Sequence, residues 1–248
     1  MVHTEQLNAV GAEQYVQQGS DIVVVPYSSY MNVDESIRLS VYTRMAAHAA
    51  VQLYERSATP DTTVVAVGEH TYGSNQTSTT KLIYDFMAGE GLPETAFATE
   101  RPVDANATPQ QIDWLRRTYG EQWQEHAPVL IGHEPHWERI EYLCGLYRLP
   151  AGFVDAAHLL AATGDLTPEY AEASRLYKEE NQRYEDQASR LTRSIAWMGP
   201  VATTQVFRAL ARMRSPNVVD VVDTAHGAQF YASPARRHKR RTVQKDEK

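Results

Sequence analysis

Short runs of consecutive apolar residues alternate along the chain with longer stretches whose apolar positions recur every three or four residues. The clearest runs are "DIVVV" (21–25), "TTVVAV" (62–67) and "APVLI" (127–131). A run that is apolar at every position and rich in β-branched residues predicts a strand covered on both faces. Shorter strands are expected at "TAFATE" (95–100), "GFVDAA" (152–157) and "NVVDVVD" (217–223). Between them, "ESIRLSVYTRMAAHAAVQLYER" (35–56) has helical spacing with Asp34 placed to cap it. "TTKLIYDFMAGEG" (79–91) reads as a helix stopped by Gly89 and Gly91. "TPQQIDWLRRTYG" (108–120) reads as a helix with Thr108 as N-cap and Pro109 at its first position, and "PHWERIEYLCGLYRL" (135–149) as another.

From Thr167 the texture changes to a long charged helix with a Thr-Pro start and a Gly199 stop, followed by a shorter helix over 201–213. Strands alternating with helices at these lengths predict an α/β fold: a Rossmann-like, doubly wound, mainly parallel sheet with helices on both faces, plus a C-terminal helical extension. The organisation expected is a ligand-binding core over 1–160, a helical extension with a late strand over 161–234, and a basic disordered tail over 235–248.

Composition narrows the classes. The 248 residues carry a formal net charge of −7, which argues against a dedicated nucleic-acid binder despite the basic tail "ARRHKRRTVQKDEK". A single cysteine excludes an internal disulfide framework. No stretch approaches the ~20 apolar residues of a membrane span. The first residues lack the basic flank and apolar run of a signal peptide, so a cytoplasmic protein is expected.

In parallel sheets ligands bind outside the carboxyl ends of the strands. That rule selects four polar segments: "PYSSYMN" (26–32), "GEHTYGSNQTS" (68–78), "ERPVDANAT" (100–108) and "GHEPHWER" (132–139). Ser28 and Ser29 lie in the first. In the second, Gly68 and Gly73 frame Glu69, His70 and Thr71 ahead of a helix N-terminus, a pattern suited to phosphate, carboxylate or ribose, or simply to a turn and a capped helix. It is not a P-loop, because the Lys-Ser/Thr pair is missing. In the third, Glu100, Asp104, Asn106 and Thr108 offer acceptors for a ribose hydroxyl or an ammonium, unless Asp104 serves an Asx-turn and Thr108 a cap. In the fourth, His133 and His136 lack the spacing of a zinc-binding helix pair, so no metal is expected. His136 and Arg139 suit an anion over the positive end of a helix, though Arg139 has Glu138 and Glu141 as alternative surface partners. Arg38, read as four residues into a helix, reaches toward the same crevice. Cys144, among apolar neighbours, reads as a packed thiol, and Tyr170, Tyr177 and Tyr184, recurring at sevens, as packing.

The order of these motifs over roughly 21–154 resembles the YdcF/ElyC/SanA family. The matching residues are Arg38 in "ESIRLSVYTRMAAHA", the turn "VVAVGEHTYG", "MAGEGLP", then Glu100, Asn106 and Thr108 in "ERPVDANATPQQ", and His136 and Arg139 in "GHEPHWER". The chain departs from the family pattern at "PYSSY", at Gly68-Glu69-His70 and at Gly132-His133. The resemblance implies a Rossmann-like fold and, by analogy with the soluble branch, binding of S-adenosylmethionine.

The functional expectation is an adenosyl or nucleotide ligand, S-adenosylmethionine specifically, with group transfer as the reaction. Glu100 or Asp104 would take ribose hydroxyls or the ammonium, His136 and Arg139 a carboxylate or phosphate, and His133 or Glu69 a proton. A phosphate-ester or pyrophosphate hydrolase or transferase is the alternative, with Arg38, His136 and Arg139 on the phosphoryl oxygens and Glu69 or Glu134 activating water. A third reading is a non-catalytic sensor or scaffold. The expected partners are a small molecule and, through the C-terminal helices, a second copy of the chain; no specific nucleic acid and no membrane are expected. The sequence leaves open whether the long helix covers the crevice or builds that dimer.

Overall fold

The computed structural model describes residues 4–25, 30–33, 36–68, 77–100 and 107–213. Five strands form one parallel sheet: β1 (Thr4–Leu7), β2 (Ile22–Val24), β5 (Val64–Ala66), β6 (Val129–Gly132) and β7 (Ala151–Asp155), in the order β1-β7-β6-β2-β5. The remaining two, β3 (Tyr30–Val33) and β4 (Ser36–Leu39), make a separate antiparallel hairpin between β2 and the next helix. The expected α/β, doubly wound architecture is present. Chain order runs outward from β2 to β5, then crosses back over β2 to β6 and β7, so the reversal falls between β2 and β6.

Strand alternation explains why both faces must be covered. Ile22, Val24, Val64, Ala66, Val129 and Ile131 point into one core with α1 (Ala9–Gln17), α2 (Val41–Ser57), α3 (Thr79–Gly89) and α6 (Ala156–Thr163). Val23, Val65, Leu130 and Phe153 point into the other, with α4 (Thr108–Tyr119) and α5 (Trp137–Tyr147). A strand with this composition has no face it can give to water.

The helix expected over 35–56 is shorter than its pattern. Ser36–Leu39 belongs to β4, with Arg38 in register opposite Met31, and α2 begins at Val41. Ser40 is the N-cap, its hydroxyl accepting from Thr43 N–H at 3.3 Å. Ile37, Leu39 and Val41 fit a period of two as well as a helix, and the local capping hydrogen bond decides where the helix starts. Arg38 is therefore a strand residue, not a helical one; Asp34 lies outside the described residues. At 108–120 the N-cap is Ala107, without a side-chain cap, and Thr108 is already helical. The expected strand over 95–100 reduces to a single bridge between Val64 and Phe97 after a 3-10 turn at Glu94–Ala96. β1 and α1 have no counterpart in the sequence reading. The late strand at 217–223 and the basic tail lie outside the described residues.

The long helix is present as α7 (Pro168–Ala196), capped by Thr167 and followed by α8 (Pro200–Met213). α7 packs over α2 and α5, and α8 over α4, while the end of α5 reaches α8 through Tyr147 Oη, 2.8 Å from Thr204 Oγ1. Tyr170 and Tyr177 are buried, and burial pushes the Cys144 thiol up to about 12, the state of a packed rather than reactive thiol.

One buried carboxylate ties the amino end of the sheet together. Asp21, just before β2, accepts from Thr63 N–H at 3.0 Å and from Trp123 Nε1 at 2.7 Å. Burial raises its pKa, and those two donors oppose the shift. Asp21→Ala orphans both donors and is expected to cost about 2–4 kcal/mol in urea unfolding, whereas Asp21→Asn, which retains one carbonyl acceptor, costs less.

Candidate functional site

The strand order reverses between β2 and β6, and in sheets of this kind the ligand crevice is expected outside the carboxyl ends of those two strands. The two strands are still bonded at Val25, whose N–H donates to Ile131 O at 3.2 Å. The first turn of α4 spans the opening. Thr108 Oγ1 lies 3.2 Å from His136 Nε2, beyond the end of β6, while Gln111 Nε2 donates to Val67 O at 3.4 Å, at the end of β5. β2 sits between those two strands. Gln110 and Gln111 are both buried, and among the described residues their side-chain oxygens have no hydrogen-bond donor. An orphaned buried amide oxygen is costly and is rare without a functional reason.

The opposite wall is built on the residues after β6. Gly132 lets the strand pass Phe153, whose ring would lie 3.0 Å from any Cβ there. His133 follows in extended conformation with Nε2 3.1 Å from Tyr42 O. A carbonyl only accepts, so in the neutral ring Nε2 carries the hydrogen and Nδ1 keeps the lone pair. The His133 ring stands 5.0 Å from that of Tyr177 and 5.8 Å from that of Tyr42. Asp155, ending β7, accepts from Glu134 N–H at 2.7 Å and caps α6 through His158 N–H at 2.9 Å. This carboxylate fixes the turn that presents both histidines.

Burial lowers the pKa of His133, partly offset by the Asp155 charge and the Tyr42 carbonyl. His136 is pushed well below its ordinary value by burial, then by Arg139 and by His133. Both imidazoles are neutral near pH 7, which is the state needed to accept a proton.

Arg139 does not pair with Glu138 or Glu141. Its Nη2 lies 3.2 Å from Glu185 Oε2 on α7, with the side chains 9% and 1% exposed. Three exposed ion pairs, Arg44–Glu169, Lys178–Glu134 and Arg193–Glu138, lie along the same helix. Each contributes roughly 0–1 kcal/mol, so the buried pair dominates the electrostatics of this contact. α7 thus covers the α5 side of the crevice.

Glu100 is placed elsewhere. It is exposed and accepts from Tyr119 Oη at 3.1 Å, and a hydrogen bond from its own backbone N–H together with that from Tyr119 keeps its carboxyl below the usual range. Tyr119 and Thr108 occupy opposite ends of α4, about 16 Å of helix apart. The structure therefore brings His133, His136, Thr108 and Arg139 together and leaves Glu100 away from them. Gly68 is present at the end of β5, its carbonyl accepting from Thr80 Oγ1 at 2.7 Å. Ser28, Ser29, Glu69, His70, Thr71, Gly73, Asp104 and Asn106 lie outside the described residues, and nothing is described of the Arg38 side chain. Sequence reasoning missed Tyr42, Asp155, Gln110, Gln111 and Glu185. Only Asp155 carried a usable signal, an acidic residue between an apolar run and a helix.

Two outcomes follow. In the folded chain both histidines titrate below the 6.5 of an unperturbed imidazole. Between those values the unfolded chain binds more protons, so their contribution is complete above about pH 6.5 and is lost as pH falls below it. Melting temperature should drop between pH 7.5 and 5, with a shallower slope in His136→Asn. Glu185→Leu leaves the Arg139 charge buried and is expected to cost about 3–5 kcal/mol by chemical denaturation, most of it recovered in the double variant with Arg139→Leu. No family model, curated protein or solved structure matches the chain, so the site is read from its own geometry.

Proposed function

We propose that the chain binds an adenosyl or nucleotide-type ligand at the β2/β6 switch point, S-adenosylmethionine being the specific candidate, and that it is a group-transfer enzyme of the soluble branch of the YdcF/ElyC/SanA family. The observation that carries this reading is the first turn of α4. It crosses the end of β2, has no side-chain cap, and holds two buried amide oxygens without donors among the described residues. Such acceptors call for N–H groups on the ligand, which an adenine amine or an α-ammonium supplies. The N–H groups of Thr108 and Gln110 in the same turn have no side-chain cap from Ala107 and suit a carboxylate.

Within this reading Arg139 is not the anion clamp, because Glu185 holds its guanidinium. His133 is the proton acceptor through Nδ1, the ring nitrogen that does not face Tyr42 O, while that carbonyl fixes the ring. His136 positions α4 through Thr108. A nucleophile on a second substrate would bond to a carbon on the ligand's sulfonium as that carbon–sulfur bond breaks, the electron pair leaving on the neutral thioether, and the nucleophile's proton would pass to His133 Nδ1. The phosphoryl-transfer alternative has less support, since it requires Arg139 to face the ligand rather than Glu185.

A thermal-shift panel tests the reading: S-adenosylmethionine, its homocysteine product, nucleotides and sugar phosphates. An adenosyl compound is expected to raise the melting temperature. Gln110→Met should keep or raise the unliganded melting temperature, because an orphaned oxygen is removed, and should abolish the ligand-induced shift. Stabilisation by phosphorylated compounds alone would overturn the adenosyl assignment.

A further inference from the structure

The opposite edge of the sheet carries a second concave site. α4 and α5 end side by side there, and their ends lead into the neighbouring strands β6 and β7. Between the two helix ends lies a cavity of about 480 Å³ lined by Arg116, Arg117, Thr118, Glu121 and Arg148. In a chain of net charge −7, three arginines on one cavity stand out as a local excess of positive charge.

Part of that charge answers to the helices themselves. Each helix C-terminus presents about half a negative charge, so two ends offset roughly one arginine. Asp113 takes a second, through Arg117 Nε at 3.2 Å. Arg116 and Arg148 have no carboxylate within ion-pair distance among the described residues. Glu121 on the same wall offsets a third, so the lining is close to neutral overall, and the groups a ligand would meet are the two guanidiniums without such a partner, Arg116 and Arg148.

The backbone of Arg148 supplies an independent observation. It ends α5 with φ 57° and ψ 42°, and is the only described residue other than glycine with positive φ. Its N–H and that of Leu149 close the helix on Cys144 and Gly145 carbonyls, a geometry in which glycine is the unstrained choice. A non-glycine residue in this conformation brings its Cβ close to the following carbonyl and is strained. Keeping arginine there is explained if its side chain has work in the cavity it lines.

We propose that this cavity is a binding site for a small phosphate monoester. Guanidinium groups from two walls donate N–H bonds to the phosphoryl oxygens, and Thr118 adds a hydroxyl. The cavity falls within the range of ligand pockets and is larger than bare phosphate needs, leaving room for an organic body. Glu121 on the same wall limits the total negative charge accepted, which favours one phosphoryl group over a polyphosphate. The site lies at the amino ends of the strands, away from the β2/β6 crevice, and is independent of the adenosyl reading.

The test is isothermal titration of the full chain with glycerol phosphate, with inorganic phosphate, and with glycerol as the neutral control, at constant ionic strength. Saturable binding of the phosphorylated compounds but not of glycerol is expected. Arg148→Gly should weaken it about ten-fold or more, the loss of a charged hydrogen bond, while raising the melting temperature by removing the left-handed strain. Arg116→Gln should weaken it similarly without that gain. Absence of saturable binding, or affinity unchanged in both variants, would overturn the proposal. Binding of an adenosyl compound to Arg148→Gly, measured in parallel, reports separately on the crevice.

Discussion

Every other feature of the fold depends on a sheet whose central strands can surrender neither face to water. Ile22 and Val24 feed one core while Val23 and Val25 feed the other, and β5 and β6 repeat the alternation. Helices must therefore lie on both faces, which parallel strands joined by crossovers provide. The same requirement fixes the reversal of strand order. Once β5 has been laid on one side of β2, the chain returns over it to start β6, and the reversal falls between β2 and β6, where such sheets place a ligand crevice.

Around that crevice the polar groups are held by one another more than by solvent. Asp155 shapes the turn after β6, Tyr42 O orients His133, and Thr108 links His136 to α4. α7 then brings Glu185 onto Arg139. A buried ion pair gains little net stability over apolar packing, but leaving either partner alone is expensive. Its effect is to hold the seating of α7 and to keep the histidines in a dry environment where they stay neutral.

The helix boundaries show how far local pattern reaches. Gly89 and Gly91 end α3 and Thr167 begins α7 where their residue types dictate. At 36–39 the same logic misleads, because a short segment with apolar residues at every second position satisfies a strand as well as a helix, and Ser40 rather than Asp34 starts α2. Thr108 is similar. Its hydroxyl suits a cap, but His136 offers it another partner and the helix begins one residue earlier.

The sequence by itself determined the fold class and the placing of segment 132–139 directly after a central strand, since burial on both faces and helix punctuation are written in neighbouring residues. Tertiary structure alone decided which polar groups meet. Arg139 and Glu185 are 46 positions apart, and Trp123 and Asp21 are 102. No periodicity encodes such pairs, because they arise from which helix packs on which strand end. Glu100 illustrates the converse: close in sequence to Thr108, it is held by Tyr119 at the other end of α4, where the helix carries it out of the site.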